Sequence, residues 1–366
     1  MKIGILTYHR SQNYGAQLQA YALQKYLTIQ GNNVEFIDYW PQYHKNLYKT
    51  SFLDKEKCYN LKFAQKIKYL IDALYLTIIA KIRRYKTNRF AKKYLCISPY
   101  DDGVSFDIVV YGSDQIWRKQ HVDTCQSYNP IYFGNRQINA KKKLAYAVSM
   151  GKIEADNDYD INFLKNHLSN FTNISVRELD LQFFLSQKLN IEADLVCDPV
   201  FLLKKEEWPQ FRATNAKNDY IFVYNIAGVE KINRIAERLA TTYNTNIVEY
   251  CGYVKKHKIS NRNKYTGDAM DFLQMLVNAK FVVTSSFHGV ALSVCFEKQF
   301  YFASTDYLKN RTVSLLSKLK LTDFDYSQVP IEDIDCLNFI DYTYVNVIKD
   351  EYIQESKSWI QQNITM

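Results

Sequence analysis

Residues 278–296 read NAKFVVTSSFHGVALSVCF. The β-branched apolar run at 281–284 reads as a buried strand. It stops at Ser285 and Ser286, residue types that cap helices. The small apolar run from Gly289 to Phe296 predicts the helix that follows. His288 stands between the two. A strand that runs into a helix N-terminus points backbone N–H groups at a crevice, and these favour anions. In open α/β sheets that crevice lies at the carboxyl ends of the strands. The stretch therefore predicts an α/β fold with a titratable imidazole where an anionic substrate would be held.

Outward from this corner the same alternation recurs. Strands are predicted at 219–226, 246–250 and 299–303, and helices at 229–243, 268–279 and 311–321. An amphipathic helix at 344–364 closes the chain. At the other end, a strand at 2–8 leads through a polar loop (residues 9–15) into a helix. That helix carries Ala16, Ala20, Leu23 and Leu27 on one face. A strand at 34–39 follows, which makes a parallel α/β unit. The loop is not GxGxxG, so a dinucleotide fingerprint is absent. Strands at 107–111, 144–149, 173–176 and 193–197 each end at polar or charged residues, among them Asp114, Arg177 and Asp198. They predict a shared edge where functional groups gather. Residues 208–218 are polar and read as a linker. The expected architecture is α/β, with two Rossmann-like domains facing a cleft. The first spans 1–207, with an inserted basic helical stretch at about 61–95. The second spans 219–325, and a helical tail, 326–366, packs back on the first. No internal repeat is visible at a fixed period.

The 366 residues are 47% hydrophobic, enough for two real cores. The 47 basic and 38 acidic residues leave a formal charge of +9. That charge suits nucleic acid, an anionic lipid surface or small anionic substrates, and does not choose among them. In the inserted stretch Lys81, Arg83, Arg84, Lys86, Arg89, Lys92 and Lys93 follow one another with no acid between them. They read either as a solvated face or as a contact with an anionic membrane surface. The seven cysteines form no CxxC pair, which points to a reducing compartment with neither a disulfide framework nor a zinc site. The N-terminus is too short in its apolar part for a signal peptide, and no window holds the ~20 apolar residues of a membrane span. A cytoplasmic protein is expected, with peripheral contact at the inner membrane face as its extension.

Several blocks taken together resemble the polysaccharide pyruvyl transferase family. They are NYGAQLQAYAL (13–23), YGSDQIW (111–117), SVRE (175–178), DPVFLL (198–203) and SSFHG (285–289), followed by NRTVSLLSKLKL (310–321). They stand in the family's order between residue 3 and about 321. The resemblance implies a GT-B-like fold, phosphoenolpyruvate as donor substrate, and a pair of sugar hydroxyls as acceptor. The product would be a pyruvate ketal on a cell-surface glycan, such as an exopolysaccharide or capsule, or on its lipid-linked precursor. It also implies catalytic roles for His288 and Arg177. Many family members carry an RLHG-like variant where this chain has Ser286, Phe287, His288 and Gly289, so one positive group beside the histidine is absent.

Ketal formation needs a proton on the enol carbon, removal of a proton from the attacking hydroxyl, and departure of phosphate. Acid–base help at such a step is worth about 10²–10⁴-fold. His288 is the acid/base candidate, because an unperturbed imidazole titrates near ~6.5; its ordinary alternative is a cap or a satisfied core histidine. Arg177 offers a planar fork for carboxylate or phosphate, or else a salt bridge to Glu178 or Asp180. Asn13 and Gly15 precede a helix N-terminus and are read as substrate-binding or as turn residues. Ser113, Asp114 and Gln115 would bind sugar or hold their loop. Ser286, Asn310 and Arg311 complete the substrate-binding set, and His9 and Arg10 are candidates for the same edge. Ser285 and Ser286 lie in no GxSxG elbow. The remaining histidines show no ligand spacing, so no metal is expected, and no cofactor beyond the donor. The competing readings are a nucleotide-sugar glycosyltransferase on the same fold, and a non-catalytic basic binding protein. Nucleic acid is not the expected partner.

Overall fold

The computed structural model describes residues 1–48, 50–99, 103–122, 125–135, 137–155, 157–209, 219–250, 263–265, 267–305 and 310–365. Of the predicted linker, 210–218 lies outside the described residues. In the first half the order is β1 (Lys2–Leu6), α1 (Tyr14–Ile29), β2 (Asn33–Asp38), α2 (Gln42–Asn46), α3 (Lys55–Tyr59) and α4 (Phe63–Tyr94). There follow β3 (Ile97–Pro99), β4 (Ser105–Tyr111), β5 (Asn139–Val148), α5 (Asp158–Leu168), β6 (Asn173–Val176), α6 (Leu179–Phe184) and β7 (Asp194–Leu195). The second half runs β8 (Tyr220–Tyr224), α7 (Glu230–Tyr243), β9 (Asn246–Tyr250), β10 (Asn263–Tyr265) and α8 (Ala269–Asn278). It continues with β11 (Phe281–Thr284), α9 (Phe287–Cys295), β12 (Phe300–Phe302), α10 (Asn310–Lys318) and α11 (Tyr342–Ile364).

Two sheets result. The first has seven strands in the order β3-β2-β1-β4-β5-β6-β7, the second five in the order β10-β9-β8-β11-β12. Every ladder between these strands is parallel. Parallel sheets are covered on both faces, so their central strands are apolar throughout. β11 obeys this: all four of its residues are buried, with Val282 opposite Phe222 on one side and Phe300 on the other. β3 and β10 escape prediction because they are three-residue edge strands with no apolar run.

The halves are fused through aromatic packing. Tyr14, buried in the first turn of α1, stacks on Phe272 of α8 with ring centroids 5.2 Å apart, and meets the edge of Tyr250 at 5.0 Å. One apolar core therefore runs continuously from the first sheet into the second. The other face of the first sheet has its own core around Trp117, Tyr132 and Phe133. α11 clasps both halves. Its Ser356 Oγ accepts from Cys197 N at 2.8 Å and Trp359 Nε1 donates to Asp194 at 2.7 Å, while Tyr342 OH donates to the Lys298 carbonyl at 2.6 Å. Two parallel α/β sheets facing one cleft is the GT-B type of arrangement, as the sequence predicts.

Candidate active site

The carboxyl ends of β4, β6, β7 and β11 converge on one point. Arg177 follows β6 directly and is buried. Its Nη1 donates to Asp198, just beyond β7, and to Ser113 Oγ at 3.1 Å. Its Nε donates to Glu178 and its Nη2 to Asp114, each at 3.4 Å. Three carboxylates thus surround one guanidinium, which holds Arg177 firmly charged despite its burial. The neighbours respond unequally. Burial raises the Glu178 carboxyl to about 7, against the opposing pull of Arg177 and Arg311. Asp114 pays the same burial cost yet is held below the usual carboxylate range, because Arg177, His288 and Arg311 face it.

His288 is the second residue of α9, not a residue of the turn before it. Ser286 is the N-cap by backbone geometry, but its side chain makes no capping bond. The first turn of α9 therefore meets the cleft without a side-chain cap. The helix can fold back on its strand because residue 289 is glycine. A Cβ there would lie 2.2 Å from Thr284 Oγ1, which accepts from Ser286 N at 3.0 Å and donates to the Tyr224 carbonyl at 2.9 Å. The imidazole is buried, its Nε2 has no hydrogen-bond partner, and that atom lies 3.7 Å from Asp198 Oδ2. Burial lowers its pKa from 6.5 to about 4; Arg177 and Arg311 push the same way, Asp198 and Asp114 the other. This corrects the expectation of a histidine titrating near neutrality. At neutral pH the ring is uncharged, so it suits a base rather than an acid.

The wall facing His288 is Gly15. A Cβ on Gly15 would lie 2.3 Å from the imidazole Cγ, so glycine there leaves the space that the ring occupies. Asn13 is the N-cap of α1, its Oδ1 accepting from Gly15 N at 2.9 Å and Ala16 N at 3.4 Å. Those N–H groups are therefore turned to the cap, the turn role that was one of the two readings of the sequence, rather than to an anion.

Phe287 follows Ser286, the position that matches the arginine of the RLHG-like variant, and two arginines flank its ring. The Arg177 guanidinium lies 4.6 Å from the ring centroid and that of Arg311 5.8 Å. Positive charge is thus supplied across the cleft rather than along the motif. Arg311 pairs with the Gln115 amide oxygen, assigned by its neighbours, at 3.2 Å from both Nη2 and Nε. It makes no ion pair among the described residues, and burial together with Arg177 depresses its pKa. Arg177 is neutralised by its carboxylates, so Arg311 is the positive group left to face the open turn of α9, an arrangement that favours an anion.

Asn13, Asp114, Gln115, Ser286, His288 and Arg311 all line one cleft of about 220 Å³ between the sheets. Ser113 and Arg177 lie beneath it: Ser113 is fully buried, with its Oγ 2.9 Å from the Ala147 carbonyl. Asn310 is exposed and donates to Asp180 at 3.1 Å, on the seam between α10 and α6. His9 and Arg10 bind Asp38, at 3.1 Å and 2.8 Å. Ser285 Oγ lies 3.0 Å from Asn225 Oδ1 and tethers the strand end. Sequence reasoning missed the lining residues Tyr8, Tyr43, His44 and Arg118. His44 stacks on Tyr8 at 4.5 Å, and burial lowers it too, from 6.5 to about 4. Asp198 was visible as a strand end and as the start of the DPVFLL block; no local signal marks it as the partner of both Arg177 and His288. Among the described residues no cluster of His, Cys, Asp and Glu is arranged to hold a metal ion. A larger groove of about 1320 Å³ lies between α5 and α6, lined by neither histidine nor arginine.

The family model for polysaccharide pyruvyl transferase matches residues 13–307. No curated protein matches the sequence. Solved structures with similar coordinates include the glycosyltransferase SnogD from Streptomyces nogalater, at 10% identity and TM-score 0.44, covering 98% of this chain and 95% of that one. The Arabidopsis thaliana protein UGT89C1, solved with quercetin, is 10% identical at TM-score 0.40, covering 96% and 99%. A UDP-N-acetylglucosamine 2-epimerase from Rickettsia bellii is 8% identical at TM-score 0.42, covering 100% and 99%.

Proposed function

The chain belongs to the polysaccharide pyruvyl transferase family, and from that premise we propose that it moves the pyruvyl group of phosphoenolpyruvate onto a sugar diol. The acceptor is a cell-surface glycan or its lipid-linked precursor, and the product a cyclic pyruvate ketal. The supporting observation is the pairing of an uncharged, unpartnered His288 Nε2 with the Arg311 guanidinium in one cleft.

Phosphoenolpyruvate carries a carboxylate and a phosphate. Arg311, with Arg118 and the uncapped turn of α9, supplies positive charge for them. A proton from water adds to the methylene carbon and leaves the adjacent carbon electrophilic. A sugar hydroxyl attacks that carbon as His288 Nε2 takes its proton. The carbon–oxygen bond to phosphate then breaks with its electron pair, and the second hydroxyl closes the ring as it loses its proton. Asp198 stabilises the imidazolium that forms, at 3.7 Å from Nε2. Arg177 acts through Asp198 and Phe287 as a positioning residue. Asn13, Asp114, Gln115 and Ser286 line the same cleft, which supports reading them as partners of sugar hydroxyls.

Calorimetric titration with phosphoenolpyruvate tests the donor. We expect saturable binding that Arg311→Ala weakens at least tenfold, with no competition from nucleoside diphosphate sugars. Tight binding of a nucleoside diphosphate sugar and none of phosphoenolpyruvate would overturn the reading.

A further inference from the structure

α4 exposes a row of large apolar side chains, which a helix of a protein surrounded only by water rarely does. Phe63, Ile67, Leu70, Leu74, Ile78 and Ile82 recur at steps of four and three along its 32 residues, and every one is exposed. At about 100° per residue they form one stripe, roughly 28 Å long at about 1.5 Å per residue. Leu74 is 62% exposed and Phe63 80%. The opposite face holds the buried residues: Ala73, Ala80, Arg83, Thr87, Phe90 and Ala91. So along residues 63–82 the large apolar side chains of the stripe point out, while Ala73 and Ala80 face in. Contiguous exposed apolar surface of this extent marks an interaction site.

The charge says with what. Residues 62–94 hold ten Lys and Arg and a single acid, Asp72, a net of +9. The chain as a whole has 47 basic and 38 acidic residues, so everything outside this segment holds 37 of each and is neutral. The whole net charge of the protein therefore sits on the helix with the exposed apolar stripe and its N-cap, Lys62. Lys81 lies beside the stripe, and Arg89, Lys92 and Lys93 extend it, all exposed. Among the described residues no helix is long and apolar enough to cross a membrane. An apolar face rimmed by lysine and arginine, without a span, fits a helix lying in the plane of an anionic bilayer surface.

We propose that α4 docks the protein on an anionic lipid bilayer, its stripe sunk among the headgroups and its basic residues against the phosphates. The docked helix is tied to the cleft. Arg83, on its inner face, donates to the Gln12 carbonyl at 2.8 Å, and its Thr87 carbonyl accepts from Gln17 at 3.3 Å. Those partners flank Asn13 and Gly15, the wall that meets His288. Exposed Leu53 and Leu47 continue the apolar surface toward the cleft, which Leu47 lines. Docking thus fixes the cleft beside the membrane, whatever donor it uses.

Co-sedimentation of the full chain with vesicles tests this, using phosphatidylcholine alone or with one-third phosphatidylglycerol. We expect binding to the anionic vesicles only, weakened by salt. Leu70→Glu with Leu74→Glu should abolish it. Lys81→Glu, Arg89→Glu and Lys92→Glu should each weaken it about fivefold. All five positions are exposed, so matching melting temperatures will show that the variants fold. Equal binding to both vesicle types, no binding, or binding untouched by the substitutions would overturn the proposal. So would a wild-type dimer in light scattering that Leu70→Glu with Leu74→Glu splits, since the stripe would then be covered by a second copy.

Discussion

At the scale of single residues the site depends on close approach more than on any one hydrogen bond. Gly15 is the sharpest case, because a methyl group there would sit 2.3 Å from the His288 Cγ. Gly15→Ala must displace the imidazole, and a shift of about 1 Å in a reacting group can cost about 10²-fold. We expect kcat to fall by that order while the circular dichroism spectrum and KM for the donor stay near wild type, as steady-state phosphate release will show. His288 and Arg177 were legible in the sequence, because each follows a predicted strand in a recognisable block. Their electrostatics were not. Burial, which lowers His288 to about 4 and raises Glu178 to about 7, depends on helices packed from distant parts of the chain. The arginine that stands in for the missing motif charge comes from position 311, which no reading of Ser286, Phe287 and His288 could have supplied.

Among elements, the strand–turn–helix corner was legible because β11 is a β-branched apolar run and Ser285 and Ser286 end it. What failed was the helix start: α9 begins at Phe287, so His288 is fixed by helix geometry rather than by a loop. Asp198 shows a different limit. The strand before it was legible, though only two of its residues form, but nothing local shows that it is held in place by the other end of the chain. Ser356 of α11 accepts the Cys197 N–H at 2.8 Å, one residue before Asp198. Ser356→Ala would strand that buried N–H, which costs about 1–3 kcal/mol. Urea unfolding should report that loss, and activity should fall further than stability explains as Asp198 loosens. Unchanged stability and activity would detach the tail from the site.

On the scale of the whole molecule, alternating α/β periodicity made the two sheets readable, whereas their fusion was not. Tyr14 looked like part of a polar loop, yet it is fully buried against Phe272 and Tyr250 of the other half. Folding stability should also carry the signature of buried ionisable groups. His44 and His288 are both lowered from 6.5 to about 4, so the unfolded chain binds more protons between those values and stability falls as pH falls through them. Glu178 is raised from 4.5 to about 7 and works the other way, adding stability as pH falls across that range. Glu178→Gln removes this opposing contribution. Its melting temperature should therefore drop more steeply than that of wild type as pH falls from 6.5 to 4.5. Parallel curves would contradict the burial of that carboxyl.

In the proposed function, these properties serve one chemical event, the transfer of a pyruvyl group with release of phosphate. Phosphorus NMR follows it directly, with the full chain, phosphoenolpyruvate and a panel of glycosides bearing free diols. The account predicts inorganic phosphate that appears only when both donor and a competent diol are present. It also predicts that His288→Ala slows its release by about 10²–10⁴-fold. Phosphate release at the same rate from His288→Ala, or none from wild type across the panel, would contradict it.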